Sequence, residues 1–223
     1  MAPVLGYWNI RGLAQPIRLM LAYSETPYED KKYAYGPAPD FDRSAWLKEK
    51  PTLGLDFPNL PYYIDGDVKL TQSITIMRYL ARKLKLEPTT EEEHSRADLI
   101  EQQIADFRFG FTRICYSADF DKLKEEYLKN LPAQLKAFSN YLEKRQWFAS
   151  QDKLTYVDFM VYEAFDHNRV LDPDCLNDYP NLKEFMDRFE ELPTIQKYMQ
   201  SPDFLKWPLN GDMAKFGSRS SKK

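Results

Sequence analysis

The side chains that most often carry nucleophilic, redox or metal chemistry are scarce in this chain of 223 residues, which has two cysteines, Cys115 and Cys175, and two histidines, His94 and His167. The cysteines form no CxxC pair and both lie in the second half. Neither a disulfide framework nor a cysteine-ligated zinc site is expected from them. The histidines stand in no HExxH or related spacing, which sets metal binding and histidine-based acid–base work aside. Two acidic residues are placed for folding: Thr90-x-x-Glu93 and Thr155-x-x-Asp158 read as capping boxes, in which a carboxylate reaches back to the first amide of its helix. Asp158 is therefore given no chemical role. Gln72-Ser73 opens a further helix, with Ser73 at or near the N-cap.

The elements that must position these residues fall into two textures. Up to about residue 83, short apolar runs alternate with turn residues. Residues 3 to 8 suit a short buried strand, and Pro16 stands where a first helical residue belongs, followed by Ile17, Met20, Leu21 and Ser24 at helical spacing. Tyr28 to Tyr35 suits a second strand, and the proline-rich loop 36 to 42 leads into a short helix over 44 to 49. Residues 61 to 64 and 67 to 70 flank Asp65-Gly66, a two-residue hairpin turn. Ile76, Met77, Leu80, Ala81 and Leu84 then mark the helix after Ser73. The order is βαβ followed by ββα.

From Thr90 onward the pattern is helical. Ala97, Ile100, Ile104, Phe107, Phe111 and Ile114 alternate by three and four, which gives one apolar seam along roughly 25 residues. Leu123, Tyr127, Leu131, Leu135, Phe138 and Leu142 continue it, with Pro132 expected to break or kink the helix. Phe159, Tyr162 and Phe165 follow Thr155, two amphipathic stretches occupy 179 to 200, and Gly217 to Lys223 suggests a mobile polar tail.

Composition narrows the class. Hydrophobic residues make up 43% and charged residues 29%, and 31 Lys+Arg against 34 Asp+Glu leave a formal charge of −3. These are values of an ordinary soluble protein without a membrane span, and no basic block precedes the last few residues, so nucleic acid is not an expected partner. The start lacks the basic and long apolar regions of a secretory signal, and a cytoplasmic location is expected.

The run Gly6-Tyr7-Trp8-Asn9-Ile10-Arg11-Gly12-Leu13-Ala14-Gln15-Pro16-Ile17-Arg18 closely resembles the opening of mu-class glutathione S-transferases. The resemblance continues through Ala38-Pro-Asp-Phe-Asp-Arg-Ser44, Trp46, Leu53-Gly-Leu-Asp-Phe-Pro-Asn-Leu-Pro-Tyr62, Gln72-Ser73, Arg78-Tyr-Leu-Ala-Arg82, Tyr116 and Asp119-Phe120. It implies an α/β thioredoxin-like N-terminal domain over 1–84, a linker over 85–90, an all-α C-terminal domain over 91–210 and a polar tail over 211–223. It also implies an enzyme that joins the sulfur of glutathione to small hydrophobic electrophiles in detoxification, with glutathione as co-substrate and neither cofactor nor metal. A homodimer is the implied assembly.

By this resemblance Tyr7 is the catalytic residue. Only a thiolate attacks an electrophilic carbon, and moving a thiol from about 8.5 to about 6.5 takes roughly 2.7 kcal/mol of thiolate stabilisation. One hydrogen bond to a charged group contributes about 1.5 to 3 kcal/mol. A tyrosine hydroxyl, ordinarily protonated up to a pKa of about 10, can donate that bond and cannot act as the base. Trp8, Arg43, Trp46, Lys50 and Asn59 match further glutathione-contacting positions, with Trp46 and Lys50 suited to the glycyl carboxylate. Leu60-Pro61 resembles the family's cis-proline turn, where Leu60 pairs its backbone with the cysteinyl part. Gln72 and Ser73 match the positions that hold the γ-glutamyl carboxylate, at the positive end of a helix dipole.

Asp106 matches an aspartate that serves the neighbouring subunit's glutathione. Ile10, Leu13 and Tyr116 match positions that meet the electrophile, with Tyr116 placed to hydrogen-bond developing charge. The loop 34 to 42 resembles one that overhangs the pocket, and Phe57 matches an aromatic knob that enters the partner subunit. Trp207-Pro-Leu-Asn-Gly-Asp212 departs from the family pattern. Two other readings compete: a non-catalytic ligand-binding or structural relative, and a thiol-disulfide oxidoreductase. The latter needs a cysteine near the first helix, and none precedes Cys115.

Overall fold

A computed structural model describes residues 2–221. Strand β1 (Val4–Trp8) and helix α1 (Gln15–Tyr23) lead to β2 (Glu29–Tyr33), the short α2 (Ser44–Glu49) and a 3-10 turn over Lys50–Thr52. A hairpin of β3 (Tyr62–Asp65) and β4 (Val68–Thr71) is followed by α3 (Ser73–Leu84). The sheet order is β2-β1-β3-β4, with β1 parallel to β2 and antiparallel to β3. This is the thioredoxin-like βαβ-ββα arrangement. The turn is shifted by one residue from the expected Asp65-Gly66: Asp65 pairs with Val68, so Gly66 and Asp67 form it, with Gly66 at φ 61° in its first position. Only glycine takes that conformation without a Cβ penalty.

The second half is all helix: α4 (Glu91–Cys115), α5 (Phe120–Leu142), α6 (Tyr156–Leu171), α7 (Pro180–Glu190) and α8 (Pro193–Gln200). The expected seam of α4 is buried along its length. Helix α5 runs through Pro132 as one element, against the expected break. A mid-helix proline costs about 3 kcal/mol, but Tyr127, Leu131, Leu135, Phe138 and Leu142 are buried on both sides of it and keep both halves in one helix. The Pro132 carbonyl accepts from the Tyr179 hydroxyl (2.7 Å).

Helix α6 is the centre of the molecule. It is buried on nearly every side and packs against α1, α3 and α4, so it belongs to the cores of both domains. Asp158 anchors its start: the carboxylate accepts from the amides of Phe148 (2.8 Å) and Thr155 (2.8 Å) and from the Thr155 hydroxyl (2.9 Å), all buried. The tail also differs from expectation. Asn210 donates its backbone N–H to Gly217 (2.9 Å), the Trp207 indole donates to Ser218 (2.9 Å) and Phe216 stacks on Phe120. Residues 210 to 219 are thus tied down by backbone and aromatic contacts that polarity alone does not reveal; Lys222 and Lys223 lie outside the described residues.

Replacing Asp158 by alanine leaves three buried donors without an acceptor and is expected to lower unfolding stability by about 3 kcal/mol. Asp158→Asn, which keeps one accepting oxygen, loses less. Urea unfolding at fixed protein concentration measures both, and equal loss in the two variants would argue against the capping role.

Candidate active site

The turn from β1 into α1 is built around close approach. Gly12 sits at φ 46°, and a Cβ there would lie 2.6 Å from the Tyr7 ring and 2.7 Å from its hydroxyl. With no side chain in the way, the Leu13 N–H donates to the Tyr7 hydroxyl oxygen (3.1 Å). That bond occupies an acceptor position and leaves the phenol's own proton to donate elsewhere. Tyr7 is buried but lines a cavity of about 570 Å³ between the domains, with Ile10 and Leu13 from the same turn, Ser73 from α3, Asp106 from α4 and Tyr116 at the C-cap of α4. Six residues expected from sequence therefore share one cavity.

At its far side Tyr116 repeats the Tyr7 arrangement. Its hydroxyl accepts from the Gly211 N–H (2.7 Å), and burial raises the phenol above its usual pKa, so it remains a protonated donor at neutral pH. The departing segment 207–212 supplies that amide. Its Pro208 and Leu209 carbonyls accept from the Arg11 and Gly12 amides (2.9 and 3.0 Å), and Arg219 donates to the Asn9 carbonyl (2.7 Å).

At the start of α3, Gln72 takes φ 68°, a conformation that costs a non-glycine residue about 1–3 kcal/mol. No side chain caps this helix and its first turn carries no acid. Its leading N–H groups therefore open toward the cavity wall formed by Ser73 and Ile74.

The other expected residues do not line the cavity. Trp46 is buried in an aromatic cluster with Tyr33 and Tyr62, and Trp8 stacks on Tyr35 with ring centres 4.1 Å apart. Gly6 makes the Tyr62 side of this packing possible, since a Cβ there would fall 2.1 Å from that ring. The Leu60-Pro61 bond is cis, and the Leu60 N–H donates to Asn59 Oδ1 (2.9 Å). Arg43 is exposed and Lys50 half-buried, and neither forms an ion pair among the described residues. Phe57 projects from the loop before Pro61 with 77% of its surface exposed.

Sequence reasoning missed two charged features. Arg108 lines the cavity four residues after Ile104, a spacing that α4's own periodicity could have supplied. Arg11 is buried and held by α6: its guanidinium donates to both Glu163 oxygens (2.9 and 2.6 Å) and to Asp166 (2.6 Å). Nothing in the spacing of residues 11 and 163 signals that pair. Among the described residues, no group of three or more His, Cys, Asp or Glu side chains is placed to hold a metal ion, and no helix is long and apolar enough to cross a membrane.

Comparison with known proteins agrees with this architecture. The glutathione S-transferase N-terminal domain family matches residues 3–82, and the C-terminal domain family matches residues 105–202. The crystal structure of the glutathione S-transferase Blo t 8 aligns with a TM-score of 0.88 at 35% identity, covering 96% of this chain and 99% of that one. The chain belongs to the glutathione S-transferase family. Within it, the human glutathione S-transferase Mu 3 is 55% identical over 97% of this chain and 96% of its own length. The bovine glutathione S-transferase Mu 1 is 55% identical over 98% of this chain and all of its own. The mu-class resemblance of the opening run thus extends along nearly the whole chain, and the protein is a glutathione transferase.

The buried pair gives a pH dependence. Burial alone would raise the Glu163 carboxyl, but the Arg11 guanidinium overcomes it and brings the group down to about 2, from an ordinary 4.5. A depressed carboxyl contributes stability that is present above 4.5 and lost as pH falls toward 2. Glu163→Gln should therefore cost about 3 kcal/mol at pH 6 and flatten the acid limb of stability. Urea midpoints between pH 6 and pH 2 check this; parallel curves for the two proteins would contradict it.

Proposed function

We propose that Tyr7 performs the central step of glutathione transfer, by donating its phenolic proton to the glutathione sulfur and so holding it as thiolate. The observation that carries this reading is the Leu13 N–H bond to the Tyr7 oxygen, which leaves the hydroxyl proton available on the cavity side. Tyr7 stabilises the anion; the thiol's proton leaves to solvent. The thiolate then attacks the electrophilic carbon of a small hydrophobic acceptor held by Ile10 and Leu13. Tyr116, a second donor on the same cavity, meets charge that develops on the acceptor or its leaving group. Glutathione is the co-substrate, no further cofactor takes part, and the enzyme works in the cytoplasm.

Glutathione lies along the edge of the N-terminal domain. Its γ-glutamyl carboxylate meets Gln72, the Ser73 hydroxyl and the uncapped α3 amides, an arrangement a helix N-terminus favours. The backbone of Leu60, before the cis bond to Pro61, pairs with the cysteinyl part once Asn59 turns its amide to the ligand. Trp8, Arg43, Trp46 and Lys50 complete the site, with Lys50 and Trp46 at the glycyl carboxylate.

The protein works as a homodimer. An aromatic ring as exposed as Phe57 calls for a partner, and α4 and α5 enclose a second cavity of about 380 Å³, lined among others by Leu99, Ala133, Ala137, Phe138 and Tyr141. Phe57 of one subunit fills that cavity in the other, and Asp106 reaches the neighbouring subunit's glutathione.

Tyr7→Phe should keep glutathione affinity within a few-fold while the sulfur's pKa rises by about 2, from about 6.5 to about 8.5, which lowers kcat/KM with a general aryl halide about 25-fold at pH 7. The thiolate ultraviolet band of bound glutathione reads this directly; an unchanged band removes Tyr7 from the role. Phe57→Ala should weaken subunit association by about 2–4 kcal/mol, seen as monomer in sedimentation at micromolar concentration. A variant that stays fully dimeric there would place the knob elsewhere.

A further inference from the structure

The cavity opposite Tyr7 is walled chiefly by carbon, yet one cation is built into it. Arg108 lines it from α4, four residues after Ile104, four before Thr112 and eight before Tyr116, so these side chains share one wall. Among the described residues no other Lys or Arg lines the cavity. Among the described residues the Arg108 side chain forms no ion pair. Arg11, Arg18 and Arg78 differ: each donates its Nε to a carboxylate. Asp106, the carboxylate that lines the same cavity, is exposed and does not pair with Arg108. The Arg108 charge is felt at the Tyr116 phenol, which burial raises and this charge lowers.

A guanidinium presents donors in a planar fork that fits a carboxylate. The apolar wall around Arg108 would strengthen any such pair relative to one in water. Both carboxylates of glutathione have other partners in the proposed binding mode, at the α3 N-terminus and beside Lys50. The unpaired Arg108 cation on the cavity wall is therefore left for the second substrate. We infer that Arg108 forms an anion subsite of the acceptor pocket, which selects electrophiles carrying a carboxylate away from the reacting carbon over neutral ones of the same shape. The inference rests on the reading of this cavity as the acceptor pocket.

A matched pair of acceptors tests it: 4-(bromomethyl)benzoate and its methyl ester. In each, the thiolate forms a C–S bond at the benzylic carbon as the C–Br bond breaks and bromide leaves with the electron pair. Comparing each acceptor between wild type and Arg108→Gln cancels their intrinsic reactivities. The acid-over-ester ratio of kcat/KM should fall at least tenfold in Arg108→Gln, chiefly through KM for the acid, and Arg108→Lys should recover part of it. An unchanged ratio overturns the subsite, and so does a comparable rise in KM for glutathione, which would assign Arg108 to the tripeptide. Calorimetric binding of S-(4-carboxybenzyl)glutathione and its methyl ester gives the same comparison without turnover. If wild type conjugates neither acceptor, the acceptor-pocket reading fails. If it conjugates both and the variant's ratio and conjugate affinities match wild type, the anion subsite alone fails.

Discussion

The Arg11 guanidinium, taken out of water in the turn after β1, can remain charged only where carboxylates meet it, and α6 brings Glu163 and Asp166 to it. The pair is a constraint more than a source of stability, because desolvation offsets much of its attraction. Its consequence is geometric. Arg11 is flanked by Ile10 and Gly12, so fixing its side chain on the helical domain fixes the backbone that presents Leu13 to Tyr7. The Pro208 and Leu209 carbonyls hold the same turn from the other side. A residue on the first strand thus owes its hydrogen-bonding state to a helix that begins about 150 residues later.

With the turn fixed, the cavity has a definite chemical logic. Two phenols reach it from opposite domains, and each accepts a backbone N–H, Tyr7 from Leu13 and Tyr116 from Gly211. Both are thereby biased to donate their own protons, which in the proposed reaction serve the nucleophile at Tyr7 and the developing charge at Tyr116. Preorganised donors of this kind need no rearrangement during the reaction, which is where most of their advantage over water lies. Much of the remaining wall is aliphatic or aromatic and discriminates little by itself; among the described residues Arg108 is the cation on it.

Much of this was legible in the chain. The helical periods of α3 and α4, the two capping boxes and the order of strands and helices follow from local spacing, and local spacing survives folding when burial agrees with it. The residues gathered around the cavity were legible because a contiguous run, Gly6 to Arg18, carries Tyr7, Ile10 and Leu13 together. Pro132 and the tail were misread for one reason: each was judged by its own intrinsic tendency. Neighbours that bury α5 on both sides of the proline, and partners that bind Asn210, Ser218 and Arg219, outweigh that tendency.

The amino-acid order alone determined the strand and helix succession and the family to which the chain belongs, since each is encoded over a few consecutive residues or one helical period. Tertiary structure decided which charges are buried together, which carbonyls hold the first turn, and which side of α4 looks into the cavity. Those relations join residues far apart in the chain. Distance along the sequence carries no information about them until burial brings these charges and backbone amides to their partners.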